Sequence, residues 1–471
     1  MSGIGWDNAV WTSIGSWLIE PTQGDEPPIG ASIDTRALLR GQIFVAYVGE
    51  RVDGHAYLNA AKEKGAGVCL ITDPSKVPDG FLVPTLVVQD PTDAMTVLAA
   101  NWRSRLKGTV VGITGSNGKT TTTRLVHAVL SEQGNAWVSS KSHNNAIGVP
   151  MSVLNTPIDA DFAIFELGTS SHGEIAQRAA LVQPDVAVIT SIGRAHLEEL
   201  GSLEGVCAEK ASILLSTKER GIVPSGIEPL DQVLGALSVP CDVDRLDPSR
   251  LTEIVTSEQS VEFLLDGTKF HAPVPGAHNA SNAAMAVLVG RACGMDDGQI
   301  ASGLLNAKLP EMRLDRVEVP TQTEPIVIYN DAYNANPDST RAALSFFESI
   351  NPDASKVIVL GDMLELGSSG PDEHASMVGE LGDFNGRVVL VGPLYHAAAE
   401  GADFERWTAT DDHTMTEVAR SIKPGDVVLL KGSRGVGLER LVYILINRYT
   451  SYAKVGAEIR GTGTTEGMDA T

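Results

Sequence analysis

Residues 109–124, TVVGITGSNGKTTTTR, constrain the fold more than any other stretch of the chain. The first six residues are a β-branched run that predicts a strand, and the two glycines of GSNG predict a tight turn. Apolar residues at helical spacing within 125–130 predict a helix that begins near Lys119. A strand, a glycine turn and a helix N-terminus in this order predict a phosphate cradle made of backbone N–H groups.

Two side chains of this cradle carry further chemistry. Lys119 can reach the β- and γ-phosphates of a nucleotide, and the Thr120 hydroxyl can ligate Mg²⁺. The loop differs from the usual phosphate-loop motif, which has four residues between its first glycine and the Gly-Lys pair. Gly112 lies one residue further from the Gly118–Lys119 pair than that motif requires. The structural alternative is a glycine turn that binds nothing. The strand before the turn and the helix after it favour a nucleotide site.

Length and charge restrict the class of protein. A chain of 471 residues predicts about three domains. The net charge is −23 and no dense basic block occurs, which argues against nucleic acid or an anionic membrane as the main partner. An anionic substrate must then be held by local cations and backbone amides.

Cysteine spacing and hydropathy indicate the compartment. Cys69, Cys207, Cys241 and Cys293 are widely spaced, which predicts reduced thiols rather than disulfides or a zinc site. The first residues lack the basic and apolar segments of a signal peptide, and no apolar run approaches the ~20 residues that cross a membrane. We therefore expect a cytoplasmic protein without membrane insertion.

Alternating strand-like and helix-like segments predict an α/β fold. The first unit has predicted strands at 42–48 and 67–72 around a helix at 55–65. The last unit alternates strands and helices in the manner of a Rossmann-like, mostly parallel sheet. We predict three domains and a disordered Gly/Thr-rich tail, with the limits 1–106, 107–313, 314–458 and 459–471.

Two polar residues follow predicted strands of the central domain. Glu166 ends the predicted strand 161–166, and His196 lies shortly after the predicted strand 185–190. Because ligands bind at the carboxyl ends of parallel strands, both side chains are expected to face the phosphate loop. With Thr120 they predict a site for Mg²⁺ on ATP phosphates, although imidazole is an unusual ligand for this ion. The structural alternatives are a solvated strand end and a hydrogen-bonded loop histidine.

Further candidates lie in two helical segments of the central domain. Lys210 belongs to the helical run 203–215, where a surface lysine is the alternative. PGAHNASNAAMA begins a helix with His278, Asn279 and Asn282 in its first turns. Amides in these positions can cap the helix or bind the edge of an adenine.

Several strings resemble one family. TGSNGKTT resembles the ATP loop of the Mur ligases and folylpolyglutamate synthetases, and residues 34–67 resemble the N-terminal UDP-sugar-binding domain of the Mur ligases. Asp34, Thr35 and Arg36 begin this segment; standing alone they would be a polar turn. The strings GAHNASNAAMA, NNAIGVP, GEI, AHLEELGS, DAYNANPDS and VLGDMLELG extend the resemblance over nearly the whole chain except the tail. They favour the members that add D-alanyl-D-alanine.

The resemblance implies an ATP-dependent, ADP-forming ligase of peptidoglycan synthesis, and so a role in cell-wall biogenesis, cell shape and cell division. The implied reaction joins D-alanyl-D-alanine to UDP-N-acetylmuramoyl-tripeptide through an acyl phosphate, in a protein expected to be a monomer. The implied catalytic residues are Lys119, His196 and Lys210. Two Mg²⁺ would be held by Thr120, Glu166, His196 and a Lys210 carbamylated by CO₂.

The resemblance also implies the binding residues. Asp34, Thr35 and Arg36 would hold the UDP sugar, and Asn144 and Asn145 the peptide. ATP would be bound by the phosphate loop, the adenine-flanking side chains and two residues of the third domain: Gly115, Ser116, Asn117, Gly118, Lys119, Thr120, Thr121, His278, Asn279, Asn282, Arg313 and Asp331.

Two departures from the family pattern concern the substrate. Gly168, Thr169 and Ser170 stand where these ligases often have G-A-N, and Asn330 precedes Asp331 where a D-D pair is frequent. The sequence leaves open which residue occupies the third peptide position. The alternatives are another amide ligase of the same superfamily or a non-catalytic, nucleotide-gated binding protein.

Overall fold

The computed structural model describes residues 8–50, 52–140, 142–308 and 311–449. The predicted disordered tail, 459–471, lies outside these residues. The predicted α/β class is confirmed, because helices cover sheets that are mainly parallel. No helix within the described ranges combines the length and the apolar character that a bilayer crossing requires.

The first unit is a five-stranded sheet in the order β1-β5-β4-β3-β2, in which only β1 is antiparallel to its neighbour. Its strands are β1 Gly15–Ile19, β2 Ala31–Ser32, β3 Ile43–Val45, β4 Val68–Ile71 and β5 Thr85–Val88. Its helices are α1 Asn8–Ile14, α2 Leu58–Glu63 and α3 Pro91–Arg103, with 3₁₀ turns at Gly54–Tyr57 and Pro74–Lys76.

The central unit contains a wholly parallel six-stranded sheet in the order β11-β10-β9-β6-β8-β7. Its strands are β6 Thr109–Thr114, β7 Ala136–Val138, β8 Phe162–Glu166, β9 Val186–Ile189, β10 Arg220–Pro224 and β11 Asp242–Leu246. Its helices are α4 Lys119–Leu130, α5 Gly148–Leu154, α6 Glu174–Val182, α7 Leu197–Leu200, α8 Leu203–Ala211, α9 Glu228–Ala236, α10 His278–Ala292 and α11 Asp297–Leu305, with 3₁₀ turns at Ser212–Ser216 and Pro248–Arg250.

The chain forms a small antiparallel sheet after β11 and before α10. The sequence analysis did not predict this sheet. Its strands are β12 Leu251–Thr256, β13 Val261–Leu265 and β14 Thr268–Ala272. Its buried side chains, such as Phe263 and Phe270, belong to the same hydrophobic cluster as α4 and α10. This sheet therefore extends the core of the central unit.

The third unit is a six-stranded sheet in the order β15-β16-β20-β17-β18-β19, parallel except for β15. Its strands are β15 Asp315–Val319, β16 Ile326–Asp331, β17 Ser355–Gly361, β18 Arg387–Val391, β19 Glu405–Trp407 and β20 Asp426–Lys431. Its helices are α12 Pro337–Ser349, α13 Gly370–Glu380, α14 Pro393–Ala398, α15 Asp412–Ser421 and residues 440–449, with 3₁₀ turns at Gly367–Ser369 and Leu381–Asp383. The prediction of a mostly parallel sheet is confirmed.

Three predicted elements are shorter than expected. The strand expected at 42–48 covers only Ile43–Val45, because Tyr47 N–H donates to the Val45 carbonyl in a tight turn. The helix expected at 55–65 is divided into a 3₁₀ turn and α2. The helix expected at 203–215 ends at Ala211, and the Ser212 hydroxyl, which donates to the Glu209 carbonyl, opens a 3₁₀ turn.

Candidate active site

The phosphate loop connects β6 to α4 and requires glycine at two positions. Gly115 has φ +147° and Gly118 has φ +80°, a region that side chains disfavour. A Cβ atom at Gly118 would lie 2.2 Å from Asn282 Oδ1, and one at Gly115 would lie 2.0 Å from Thr190 Oγ1. The backbone conformation and the close neighbours thus explain why the loop has glycine at both positions.

Hydrogen bonds fix the loop to the segment that follows β9. Ser116 N–H donates to the Ser191 carbonyl at 2.9 Å, and Asn117 N–H donates to Ser191 Oγ at 2.8 Å. These two amides are therefore engaged within the protein. The first intrahelical bond of α4 runs from Thr122 N–H to the Gly118 carbonyl, so the preceding amides of the helix have no intrahelical acceptor. The start of α4 is therefore the part of the loop whose amides could bind an anion.

Lys119 lies over its own loop. Its Nζ donates to the carbonyls of Gly115 at 2.7 Å and Ser116 at 3.3 Å. Burial lowers the pKa of Lys119, and the negative charge of Glu166 partly opposes that effect. The ammonium group is held beside the helix start, where an anion would lie.

Glu166 is buried at the end of β8 and is bound by neutral donors. Ser142 Oγ donates to one carboxylate oxygen at 2.7 Å, and Asn144 Nδ2 donates to the other at 2.7 Å. Ser142 Oγ lies 3.1 Å from Thr120 Oγ1, which links the loop hydroxyl to the carboxylate. The solvated strand end is therefore the wrong interpretation of Glu166, which is 8% exposed.

His196 lies at the start of α7 with φ +56°. Its Nδ1 lies 2.9 Å from Glu365 Oε2, a carboxylate of the third unit. This hydrogen bond is the main cause that lowers the pKa of Glu365. The histidine is thus hydrogen-bonded in a loop and lines the central cavity as well.

Lys210 is buried in α8, so the surface-lysine alternative is wrong. The residue is 1% exposed, and its Nζ has no hydrogen-bond partner among the residues that the structure describes. Desolvation is the largest cause that lowers the pKa of Lys210 well below its ordinary value, with the charge of Lys119 acting in the same direction.

The start of α10 brings the three adenine candidates together. Asn282 Nδ2 donates to Asn279 Oδ1 at 2.7 Å, and Asn279 Nδ2 donates to the Pro275 carbonyl at 2.6 Å. The N-cap residue is Ala277, which makes no side-chain cap, so neither asparagine caps the helix in the usual way. Burial lowers the pKa of His278. The three side chains form a polar edge of the cavity.

Arg313, at the boundary with the third unit, and residues of the third unit contribute the opposite wall. Arg313 donates to Thr120 Oγ1 at 2.8 Å, and its guanidinium lies 4.3 Å from the ring centroid of Tyr333. Asp331 pairs with the buried Lys431 at 2.7 Å. The sequence analysis assigned no role to Tyr333 or Lys431. Tyr333 belongs to the string DAYNANPDS, so it had a sequence signal without a stated function. Lys431 is the last residue of β20.

Asn336 joins the two walls through an amide pair that the sequence analysis also did not identify. Its Nδ2 donates to Asn117 Oδ1 at 2.8 Å, and Asn117 Nδ2 donates back to Asn336 Oδ1 at 3.4 Å. Asn336 is in addition the N-cap of α12, where its side chain accepts from Ser339 N–H. The phosphate loop and a helix start of the third unit are thereby connected.

These residues surround one cavity of about 960 Å³ between the central and third units. Most of the predicted ATP and peptide residues line it. Gly115, Thr120 and Lys210 do not; Thr120 lies beside a smaller pocket that it shares with Glu166. The predicted residues that line the cavity are Ser116, Asn117, Gly118, Lys119, Thr121, Asn144, Asn145, Glu166, His196, His278, Asn279, Asn282, Arg313 and Asp331.

The predicted UDP-sugar residues lie outside this cavity. Arg36 pairs with Asp34 at 2.8 Å, and the arginine side chain is 90% exposed. Asp34, Thr35 and Arg36 are absent from the cavity lining. The structure therefore does not bring them together with the phosphate loop.

The donor set near the loop suits Mg²⁺ bound to a nucleotide. The described residues contain no group of three or more His, Cys, Asp or Glu side chains arranged as a metal cluster. Mg²⁺ on phosphates needs only one or two protein carboxylates, because phosphate oxygens and water complete its coordination. Glu166 offers a buried negative charge whose hydrogen-bond donors, Ser142 and Asn144, are neutral, which leaves that charge available to a cation.

Comparisons with known proteins agree with this geometry. The family model of the Mur ligase middle domain matches residues 113–290, and that of the Mur ligase glutamate ligase domain matches residues 313–434. The two matches cover the central and third units that form the cavity.

Proteins of similar length resemble this chain over most of its sequence. The chain is 35% identical over 432 residues to the UDP-N-acetylmuramoyl-tripeptide–D-alanyl-D-alanine ligase of Bacillus subtilis, covering 88% of this chain and 93% of that one. It is 33% identical to the ligase of the same name from Escherichia coli, covering 88% and 92%. The structure is similar to a crystal structure of MurF from Acinetobacter baumannii, with 29% identity, a TM-score of 0.77 and coverage of 93% and 97%.

Proposed function

The chain belongs to the Mur ligase family, and on that basis we propose that it joins D-alanyl-D-alanine to UDP-N-acetylmuramoyl-tripeptide, using ATP. The observation that carries this proposal is the cavity in which Lys119, Glu166 and His196 lie opposite Arg313 and Asp331. The relatives that are 35% and 33% identical carry the name of this reaction.

The first step is a phosphoryl transfer to a carboxylate. An oxygen of the terminal tripeptide carboxylate attacks the γ-phosphorus, and the bond from that phosphorus to the β-γ bridging oxygen breaks. ADP is the leaving group, and the tripeptide becomes an acyl phosphate. Two anions must approach each other, so the catalyst has to neutralise charge. Lys119 and the first amides of α4 supply positive charge for this purpose, and Arg313 lies beside Thr120 on the opposite side.

The second step forms the amide. The amine of D-alanyl-D-alanine attacks the acyl carbon, phosphate leaves with the former carboxylate oxygen, and the amine loses a proton. Water must be kept from the acyl phosphate. Asn336 of the third unit and Arg313 at its boundary contact Asn117 and Thr120 of the phosphate loop, which supports exclusion of water at this step.

Mg²⁺ is the metal that we propose for the site. Glu166 and His196 would hold it together with the Thr120 hydroxyl, and it would supply charge neutralisation at the phosphates. Asn144 and Ser142 orient the Glu166 carboxylate by hydrogen bonds. Asn144 and Asn145, which line the cavity, are the residues that we propose for the peptide end of the acceptor.

Lys210 is proposed to carry a carbamate. Its neutral amine would attack CO₂ and lose a proton, which converts the side chain into a carboxylate-like ligand for a second Mg²⁺. The support is the buried Nζ that has no hydrogen-bond partner among the described residues, together with the lowered pKa. A modified Lys210 would satisfy an otherwise uncompensated buried amine.

The remaining assignments concern the whole chain. We propose the limits 1–106 for a UDP-sugar domain that uses Asp34, Thr35 and Arg36, 107–313 for the ATP domain and 314–458 for the closing domain. Because Arg36 is exposed, it is accessible to a diphosphate. We propose that the protein acts as a monomer in the cytoplasm, where its ATP is made.

The test is phosphate release from Mg²⁺-ATP with UDP-N-acetylmuramoyl-tripeptide, with and without D-alanyl-D-alanine, followed by mass spectrometry of the product. We expect release that depends on the dipeptide and a product heavier by the dipeptide less water. Release with a different amine would indicate another ligase of the superfamily. Nucleotide binding without release under any of these conditions would indicate a binding protein and refute the proposal.

A further inference from the structure

The loop that follows β17 places a carboxylate of the third unit on His196. Met363 N–H donates to His374 Nε2 at 3.0 Å, and Leu364 N–H donates to Ser433 Oγ at 2.9 Å. His374 is itself fixed, because its Nδ1 donates to the Gly370 carbonyl at 2.6 Å. These bonds hold the two residues that directly precede Glu365.

The loop approaches the central unit closely at Gly367, two residues after Glu365. Gly367 has φ +55°, and a Cβ atom there would lie 3.0 Å from the Cα of Glu198 in α7. Glu365 also has a positive φ of +64°. Non-glycine residues with such values are held by their surroundings at a cost in strain, and this is frequent at functional sites. Glu365 is thus brought to α7 by a specific backbone arrangement.

The contact determines which nitrogen of His196 carries the proton. Glu365 Oε2 lies 2.9 Å from His196 Nδ1, and a carboxylate oxygen accepts, so Nδ1 must donate. In the neutral imidazole this leaves Nε2 with its lone pair, on a side chain that lines the cavity. A ring that lacked this acceptor could carry its proton on either nitrogen.

We propose that Glu365 is a positioning residue that fixes His196 in the Nδ1–H tautomer and so presents Nε2 to the cavity. The partner of the histidine comes from the third unit, so the tautomer is set where that unit lies against α7. The inference rests on the proposed function, because it assigns His196 a role at the reacting phosphates. Carboxylates that orient a functional histidine in this way contribute through that histidine rather than by contact with substrate.

The direct test is the tautomer of His196 in the full chain with Mg²⁺ and ADP bound. The chain has ten histidines, so the protein is labelled with ¹⁵N-histidine and the His196 signals are identified as those missing from H196Q. Long-range ¹H–¹⁵N correlation spectra then distinguish the two tautomers. We expect the proton on Nδ1 in the wild type and in E365Q, whose amide oxygen still accepts, and its loss from Nδ1 in E365A.

Kinetics supply the second readout. E365A is expected to lower kcat about 10-fold or more with a smaller change in KM for ATP, and E365Q is expected to recover part of the loss. E199A is the matched control, because Glu199 is an exposed carboxylate of the same helix α7, and we expect it to behave as wild type. Glu365 is 61% exposed, so its truncation removes little buried surface and should leave folding intact.

A proton on Nε2 in the wild type, or E365A with wild-type kcat, would overturn the positioning role. The spectra do not require turnover. An inactive wild type that shows the Nδ1–H tautomer would therefore refute the proposed function while leaving the positioning role in place.

Discussion

The two boundaries of the central unit differ in kind. Towards the first unit, one continuous hydrophobic core crosses the boundary: Leu98 of α3 and Val149 of α5 belong to the same buried cluster, and Trp102 Nε1 donates to the Thr156 carbonyl at 2.9 Å. Towards the third unit, no cluster is shared among the described residues, since the two cores of the third unit contain only residues 314–449.

The second boundary consists largely of polar contacts around the cavity. They include the Asn117–Asn336 amide pair, the Arg313–Thr120 hydrogen bond and the His196–Glu365 pair. A shared apolar core holds two units in one arrangement, whereas a polar interface permits relative motion. The proposed closure over the phosphates would therefore be a movement of the third unit.

The largest effect is expected for Lys119→Ala, at the polar boundary. Removing this cation from the γ-phosphate should lower kcat by about 10³-fold. Stability should change little, because the side chain is only half-buried and belongs to no hydrophobic cluster. ADP formation and thermal unfolding measure the two quantities. Lys107→Ala, at an exposed lysine, serves as the control, and normal turnover in K119A would contradict the assignment.

Leu98→Ala tests the apolar boundary. Leu98 is fully buried in the shared core, so the cavity should lower the free energy of unfolding by about 3 kcal/mol. Because the core is continuous, hydrogen exchange should accelerate in both β4 and β8. Val97→Ala is the matched control on the same helix, since Val97 is 43% exposed. Acceleration confined to the first unit would show that the boundary is not a shared core.

Lys210→Met separates activity from stability inside the central unit. Loss of the amine should lower kcat by about 100-fold if the residue is carbamylated. Stability should be unchanged or higher, because an apolar chain of similar size replaces a buried amine that has no hydrogen-bond partner in the described part of the chain. Turnover and urea unfolding measure both. Wild-type activity in K210M would exclude a role for the lysine.

The same variant has a predicted pH dependence. Folding lowers the pKa of Lys210 well below 10.5, so the unfolded chain binds more protons between the folded value and 10.5. The stability of the wild type should therefore rise with pH across that window, and K210M should lack this slope. Unfolding is measured in CO₂-free buffer, since a carbamate removes the titrating amine. Parallel pH profiles would contradict the lowered pKa.

The smallest effect concerns the amide pair across the polar boundary. A double-mutant cycle of Asn117→Ala and Asn336→Ala, measured on kcat/KM for ATP, should give a coupling of about 1 kcal/mol. The cycle is needed because Asn336 also caps α12. The cap is lost in N336A and in the double variant alike, so its contribution cancels from the coupling energy. Effects that add within about 0.3 kcal/mol would show that the pair does not connect the two units.

The features that depend on neighbouring residues could be predicted from the sequence. The phosphate loop was predicted residue by residue, because the strand Thr109–Thr114, both glycines and the start of α4 follow from neighbouring residues. The strand end at Glu166 followed from hydrophobic pattern and topology. These features depend on spacing along the chain.

Long-range contacts explain what the sequence did not reveal. The burial of Lys210 depends on how α8 packs, which its helical pattern does not specify. Glu365, Asn336 and Lys431 reach the cavity only through contacts made by the third unit. The strings that contain Glu365 and Asn336 were recognisable in the sequence, but their partners His196 and Asn117 lie in the central unit and cannot be identified from spacing alone.

The most direct test of the central claim follows an oxygen atom. UDP-N-acetylmuramoyl-tripeptide with ¹⁸O in its terminal carboxylate is incubated with Mg²⁺-ATP and D-alanyl-D-alanine, and the released phosphate is analysed by mass spectrometry. An acyl-phosphate path predicts one ¹⁸O atom in each phosphate derived from labelled carboxylate, with the dipeptide in the product. Unlabelled phosphate alongside the same product would contradict the acyl phosphate and, with it, the role assigned to the cavity.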